Sequence, residues 1–456
     1  MPRRVPRRPR EAANCDADHD NSTTHTQLGA VDCSSPRAAT ESKRMATQLP
    51  TVSRLREPNV SLFCVSGFAV LALLSYGFVA YDLVRALFDD SLKLILVDRD
   101  FANYWVAGRL VLSGDHLDLF EHSIYFAHLQ ELFGSNYQIR SWSYPPHFLL
   151  LVWPLGLLDY KAGFVAFMTS TLLLFVFAVA AFRREYAPTS DLRILLLAVM
   201  GYVLMMFVAA QNGFLTGALL LFGLAFMRAR PVLAGIAFGC LTIKPQLGLL
   251  IPVLLVFDRN WRAAGWSVLV AVLLVALSAA LFGLASWSAY LTDTLAYQRS
   301  VMTDWYGIFL RMMPTMFGSM RTLGFSPATA TLAQLPVTIF GLAAVLWLLY
   351  RERDGLRRVF AITCGTFLVT PYAFNYDMGA LCVCAALLAG RAQAPEPKAL
   401  PRLPIALVAA IPAAVTNLGR AGLPFTPLIL AVGLLALVVA ARRVSARPVG
   451  TPAPAP

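Results

Sequence analysis

The stretch RPVLAGIAFGCLTIKPQLGLLIPVLLVFDRNWRA, residues 230–263, decides how this chain has to fold. It is apolar for most of its length, yet Lys244 and Pro245 interrupt it near the middle, and arginines stand at both ends. Proline disfavours helix at the preceding residue, so the helix should break at Lys244. Broken helices are tolerated in a membrane where they line a cavity. The stretch therefore predicts a membrane segment, either as two short arms with a polar tip or as one long span.

The composition of the chain supports a membrane protein. Of 456 residues, 57% are hydrophobic and 14% are charged, whereas soluble domains carry about 25% charged residues. Lipid can cover that much apolar surface. The formal net charge of +12 comes from basic residues scattered between apolar spans. That scatter is typical of cytoplasmic loops and argues against nucleic-acid binding.

Other apolar stretches on both sides of residues 230–263 are long enough, or nearly long enough, to cross a membrane. They lie at 60–83, 161–182, 192–209, 214–227, 263–283, 329–350, 403–418 and 425–441. A second interrupted stretch covers 359–390 and is broken at 370–377. If each interrupted stretch makes two short crossings, we expect an all-α polytopic bundle of about 12 transmembrane helices, with both termini in the cytoplasm.

The same pattern divides the chain into three regions. Residues 1–57 are polar and begin with many arginines, so they predict a disordered basic cytoplasmic tail and not a signal peptide. Met45 offers a second plausible start of translation. Residues 58–443 form the transmembrane domain, with a large first outer loop at 84–146, and 444–456 form a Pro/Ala-rich cytoplasmic tail.

The first outer loop contains the acidic residues best placed for chemistry. Asp98 and Asp100 lie among aromatic residues near the membrane boundary, where a carboxylate can act as general base for a hydroxyl nucleophile. Alternatively, both are solvated, with Asp98 paired to Arg99. The apolar stretch that follows, 147–158, is too short to cross alone, so it either lies at the interface or extends the next span.

Both interruptions place charge within apolar sequence. Lys244 would cost about 2.5–3.5 kcal/mol near the centre of a membrane helix, so it either neutralises a phosphate or headgroup or reaches the nearer interface. Asp377, with Asn375 and Tyr376, forms either a polar wall for a sugar or headgroup or a satisfied helix break. The motif at 211–213, Gln-Asn-Gly, reads as a plain tight turn. No nucleotide-binding or metal-site motif is present, and we expect neither a metal nor a cofactor.

Five segments, in order, resemble glycosyltransferase family 87. They are DFANYWVAGRLVLSG (100–114), SYPPHFLLLVWPLGLL (143–158), QNGFLTGALLL (211–221), the stretch at 230–263 and TPYAFNYDM (370–378). That family belongs to the GT-C class of membrane glycosyltransferases and includes polyprenol-phosphate-mannose-dependent mannosyltransferases. The resemblance implies a GT-C-like bundle over about 60–441.

The resemblance also implies an activity. The expected enzyme is an inverting hexosyltransferase at the plasma (inner) membrane, with its site facing the periplasm or exterior. It would move mannose or another hexose or pentose from a polyprenyl phosphate to a lipid or glycan hydroxyl, with membrane lipids as further partners and no nucleic acid. By motif match Asp100 is the base, Asp98 is the fallback, and Lys244 lies near the donor phosphate. The remaining candidates for substrate binding are Arg99, Tyr104, Tyr144, Gln246, Asn375, Tyr376 and Asp377.

A transporter or flippase of a lipid-linked or polar substrate is the alternative class. Interrupted helices with charged residues at mid-depth suit transport equally well. The large outer loop, and the absence of a two-fold repeat of hydropathy, favour the transferase.

Cysteine labelling tests the predicted orientation. A cysteine introduced at Ser113 should react with an impermeant reagent added outside intact cells, and one at Ser445 should not, because the basic residues cluster on the cytoplasmic side. Labelling at Ser445 and not at Ser113 would invert the orientation and place the loop chemistry in the cytoplasm.

Overall fold

The computed structural model describes residues 59–138, 140–391 and 400–445, and all regular elements in these ranges are helical. The α-helices are α1 (Val60–Ala86), α2 (Lys93–Val97), α3 (Phe101–Ser113), α4 (His122–Phe133), α5 (Leu149–Val152), α6 (Tyr160–Tyr186), α7 (Leu192–Ala209), α8 (Gly213–Phe226), α9 (Pro231–Cys240), α10 (Ile251–Phe257), α11 (Trp261–Ala289), α12 (Leu295–Asp304), α13 (Ile308–Arg311), α14 (Met316–Thr322), α15 (Pro327–Arg351), α16 (Gly355–Val369), α17 (Gly379–Gly390), α18 (Arg402–Ala410), α19 (Val415–Arg420) and α20 (Thr426–Ser445). The predicted tail at 1–57 and residues 446–456 lie outside the described residues.

The all-α membrane class is confirmed. Within the described ranges, five helices are long and apolar enough to cross a membrane: α1, α6, α7, α15 and the helical run Trp261–Asp304. The other apolar helices are shorter, so the count of about twelve crossings remains a prediction. The span expected to end at residue 283 instead continues to Asp304, kinked at Gly283, whose φ of 79° suits a residue without a Cβ atom.

The stretch at 230–263 folds as two short arms and not as one span. Helix α9 leads to two 3₁₀ turns, Lys244 lies between these turns with non-helical backbone, and α10 returns. The Asn260 side-chain amide donates to the Met227 carbonyl at 2.6 Å, so the arms begin and end on the same side of the bundle. The second interrupted stretch behaves likewise, because Arg391 after α17 pairs with Asp354 before α16 at 2.5 Å.

Helix α3 is held by the apolar segment that follows the first loop. Residues 146–157 form a 3₁₀ turn, α5 and a second 3₁₀ turn, which pack against α3 where Gly108 meets Gly156. A Cβ atom on Gly156 would lie 2.4 Å from the backbone carbonyl carbon of Gly108. Asp159 then caps the start of α6, so this segment is a separate element and not an extension of that span. The glycine contact fixes the helix that begins directly after Asp100.

The glycine contact can be tested by adding one methyl group. Gly156→Ala should destabilise the protein by about 1–3 kcal/mol, because the backbone of α3 would have to move. Gly67→Ala in α1 is the control, since a Cβ atom there meets nothing within 4 Å. Melting temperatures in detergent check this, and equal values for both variants would show that α3 does not depend on the contact.

Candidate active site

Asp98 and Asp100 share one guanidinium. Arg140 donates from Nη1 to Asp100 Oδ1 at 2.5 Å and from Nη2 to Asp98 Oδ1 at 2.8 Å. Burial alone would lower the pKa of Arg140, but the carboxylates of Asp100 and Asp98 outweigh this and hold the pKa above its ordinary value. Arg140 therefore stays charged and connects the two ends of the first loop.

Asp98 pairs with Arg140 and not, as the alternative interpretation of the loop had it, with Arg99. The Arg99 side chain donates to the backbone carbonyls of Ile95 at 3.0 Å and Val208 at 3.4 Å. These contacts attach the loop to the end of α7, while Arg140 takes the carboxylates. Arg140 lies 40 residues after Asp100, and no local motif includes it, so its role could not be predicted from the sequence.

Gln211 connects the carboxylate to two tyrosines. Its Nε2 donates to Asp100 Oδ2 at 3.1 Å. Its Oε1 accepts from the hydroxyls of Tyr104 and Tyr144, the latter at 3.0 Å, and the two hydroxyls are 2.9 Å apart. The segment interpreted as a plain turn therefore holds the second oxygen of Asp100. In the sequence, only the position of Gln211 within the motif at 211–221 indicated a functional role.

Lys244 and Asp377, one from each helix break, form a buried ion pair. Nζ lies 2.7 Å from Oδ1, and the two side chains are 8% and 0% exposed. The other oxygen of Asp377 accepts from the backbone N–H of Phe374 at 3.3 Å. Nζ also lies 4.7 Å from the centre of the Tyr376 ring. Lys244 therefore does not reach an interface, and each charge balances the other.

The remaining candidates support the second break or lie apart from it. The Asn375 side chain donates to the Thr416 hydroxyl at 3.1 Å and accepts from the N–H of Tyr376 at 2.9 Å, so Asn375 shapes the backbone around Asp377. Gln246 is half-buried, and the structure does not bring it into these contacts. No group of three or more His, Cys, Asp or Glu side chains in the described ranges is arranged to hold a metal ion.

Tyr144 and Gly213 bring the two clusters together. The ring of Tyr144, whose hydroxyl bonds to Gln211, lies 5.9 Å from Lys244 Nζ. A Cβ atom on Gly213 would lie 2.0 Å from the carbonyl oxygen of Tyr376, so only glycine lets α8 approach the break this closely. The first loop, the α7–α8 turn and both breaks therefore meet. Together they present a partly exposed carboxylate near a buried cation, which suits transfer of a proton and stabilisation of an anion.

The family comparison covers this same region. Glycosyltransferase family 87 matches residues 142–371, about half of the chain, and the chain belongs to that family. It is therefore a membrane glycosyltransferase, acting on a sugar donor and an acceptor. The match includes Tyr144, Gln211 and Lys244, whereas Asp100 precedes it and Asp377 follows it. No curated protein and no solved structure matches the chain.

The buried ion pair predicts a pattern of stabilities. Asp377→Asn should destabilise the protein by about 3–5 kcal/mol, because Lys244 is left buried without a counter-charge. The double variant Lys244→Met with Asp377→Asn removes both charges and should recover most of that loss. Melting temperatures in detergent measure both.

An exposed pair provides the control. Asp90→Asn removes the partner of Lys161 from a pair in which Asp90 is 89% exposed, and such pairs contribute about 0–1 kcal/mol. If Asp377→Asn is as stable as Asp90→Asn, the Lys244–Asp377 pair does not hold the two breaks together.

Proposed function

We propose that this glycosyltransferase moves a sugar from a polyprenyl-phosphate donor to a hydroxyl of a lipid or glycan, with inversion, at the outer face of the plasma membrane. The observation that carries the proposal is the meeting of Asp100, held at both oxygens, with the Lys244–Asp377 pair. The sugar is mannose or another hexose or pentose.

Asp100 is the base in this proposal. Each of its oxygens accepts one hydrogen bond, from Arg140 or Gln211, and each retains a lone pair for an acceptor hydroxyl. The Asp100 side chain is 24% exposed, so an acceptor can reach it. As the proton moves to the carboxylate, the acceptor oxygen bonds to the anomeric carbon, and the bond to the phosphate oxygen breaks with its electrons on the phosphate. One such displacement inverts the anomeric centre.

Lys244 stabilises the departing phosphate. A lysine has three donor protons, and the contact with Asp377 uses one of them. The others are available where negative charge develops on the leaving group. Before the donor binds, Asp377 and the face of the Tyr376 ring keep the buried ammonium stable.

A lipid-linked donor accounts for the depth of the site. The lysine stands at the tip of two apolar arms, and Leu249, five residues further on, is 49% exposed. An exposed apolar side chain beside the break supports access for a polyprenyl chain from the bilayer. A nucleotide sugar would need a water-filled approach and a phosphate-binding loop, for which the sequence offers no motif.

The two carboxylates supply a matched test. Asp100→Asn keeps the side-chain shape but removes the base, so the transfer rate should fall by about 10²–10⁴-fold. Asp98→Asn alters the same Arg140 contact but leaves Asp100, and it should retain most of the rate. The measurement is sugar release from a synthetic polyprenyl-phosphate sugar by purified protein in detergent, at equal amounts of folded protein.

The outcomes separate three cases. An inactive Asp98→Asn beside an active Asp100→Asn would move the base to Asp98. If both variants keep the wild-type rate, neither Asp98 nor Asp100 is the base. If the wild-type protein releases no sugar but moves the labelled lipid across a vesicle membrane, the transporter alternative replaces the proposal.

A further inference from the structure

A cavity of about 510 Å³ lies at the end of the bundle opposite the candidate active site. Helix α8 starts directly after Asn212, beside the Asp100 cluster, and its 14 residues extend about 21 Å before the chain reaches Arg228 at the cavity. The turns that follow α8, α10 and α15 all contribute to the wall. We call this the arginine pocket, after the charged residues that line it: Arg228, Arg259, Arg353, Arg358, Asp258 and Glu352.

The carboxylates of the pocket are already engaged. Asp258 pairs with Arg358, and Glu352 pairs at 3.2 Å with Arg357, which does not line the cavity. The other three arginines of the pocket, Arg228, Arg259 and Arg353, are exposed. None of them lies within ion-pair distance of a carboxylate in the described part of the chain. Three guanidiniums from three separate turns therefore line one cavity without a counter-ion.

Arg259 occupies an unusual backbone position. Its φ is 51°, in the left-handed region that arginine rarely adopts and that glycine or asparagine would take at lower cost. The turn is fixed by the Asn260 N–H, which donates to the Leu255 carbonyl at 2.8 Å, and by the Asn260 amide on Met227. This is the usual way in which a helix ends, and it fixes where the chain leaves α10.

Aromatic residues place the pocket at the depth of lipid headgroups. Phe257, Trp261 and Tyr350 stand at the same helix ends as the pocket and are 40%, 62% and 69% exposed. Trp and Tyr side chains are enriched at the membrane–water boundary, where lipid phosphates also lie. A guanidinium can donate two parallel hydrogen bonds to a phosphate, so arginines without a carboxylate partner at this depth suit a phosphate. Arg228 also lies over the Tyr186 ring, with its Cζ 5.9 Å from the ring centre.

We propose that the arginine pocket binds the phosphate group of an anionic phospholipid headgroup, in the leaflet opposite the candidate active site. The headgroup would join the α8–α9, α10–α11 and α15–α16 turns. Because the first two of these turns anchor the arms that carry Lys244, a bound lipid would also steady those arms. Binding requires no step of the transfer reaction and stands whether or not that proposal holds.

Lipid retention by the purified protein tests the site. With native mass spectrometry, wild-type protein should retain phosphatidylglycerol in preference to phosphatidylcholine. Arg259→Asn and Arg353→Gln should each weaken that retention about fivefold, the effect of one basic residue at a lipid surface. Arg259→Asn should do so without lowering the melting temperature, since asparagine tolerates the left-handed backbone. Arg184→Gln is the matched control, because Arg184 is exposed at the end of α6 but does not line the cavity.

Two results would overturn the proposal. One is equal retention of phosphatidylglycerol by wild type, both pocket variants and Arg184→Gln. The other comes from inorganic phosphate as a second probe. If phosphate binds with the same dependence on Arg259 and Arg353 while phosphatidylglycerol does not, the ligand is a soluble phosphate and not a lipid.

Discussion

The contact between Lys244 and Asp377 is the constraint on which the rest of the structure depends. An ionised side chain in an apolar bundle is costly unless it is paired, and each of these residues stands within an apolar stretch. Pairing them requires that both stretches break at the same depth, and each then returns to the side from which it came. The ion pair therefore joins the tips of the two pairs of arms.

The positions of the two helix breaks were predictable from the sequence, but the residues that pair with their charged side chains were not. Lys244-Pro245 and the polar run at 375–377 stand out against apolar neighbours, and insertion cost marks such residues as paired or functional. The identity of the partner depends on tertiary packing across 133 residues, which no local pattern encodes. The same holds for Arg140 and Gln211, 40 and 111 residues from Asp100. The helix predicted to end at residue 283 continues beyond it, kinked at Gly283.

The two ends of the bundle differ in which of their charged side chains have partners. Around Asp100, each carboxylate oxygen is matched to a donor, and the site presents acceptors to its surroundings. At the arginine pocket, both carboxylates are in ion pairs, and three arginines have no carboxylate partner. The first arrangement is the one to which we assign sugar transfer, the activity of glycosyltransferase family 87. The second lies at the other end of α8, which connects the two sites.

The distance in sequence between the ion-pair partners has a consequence for biosynthesis. Asp377 is made 133 residues after Lys244, and at typical elongation rates the lysine waits on the order of ten seconds for its counter-charge. Until then, burying Lys244 at its final depth carries the cost of an unpaired charge. This cost favours a hairpin that reaches its final depth only after α16 and α17 have been translated.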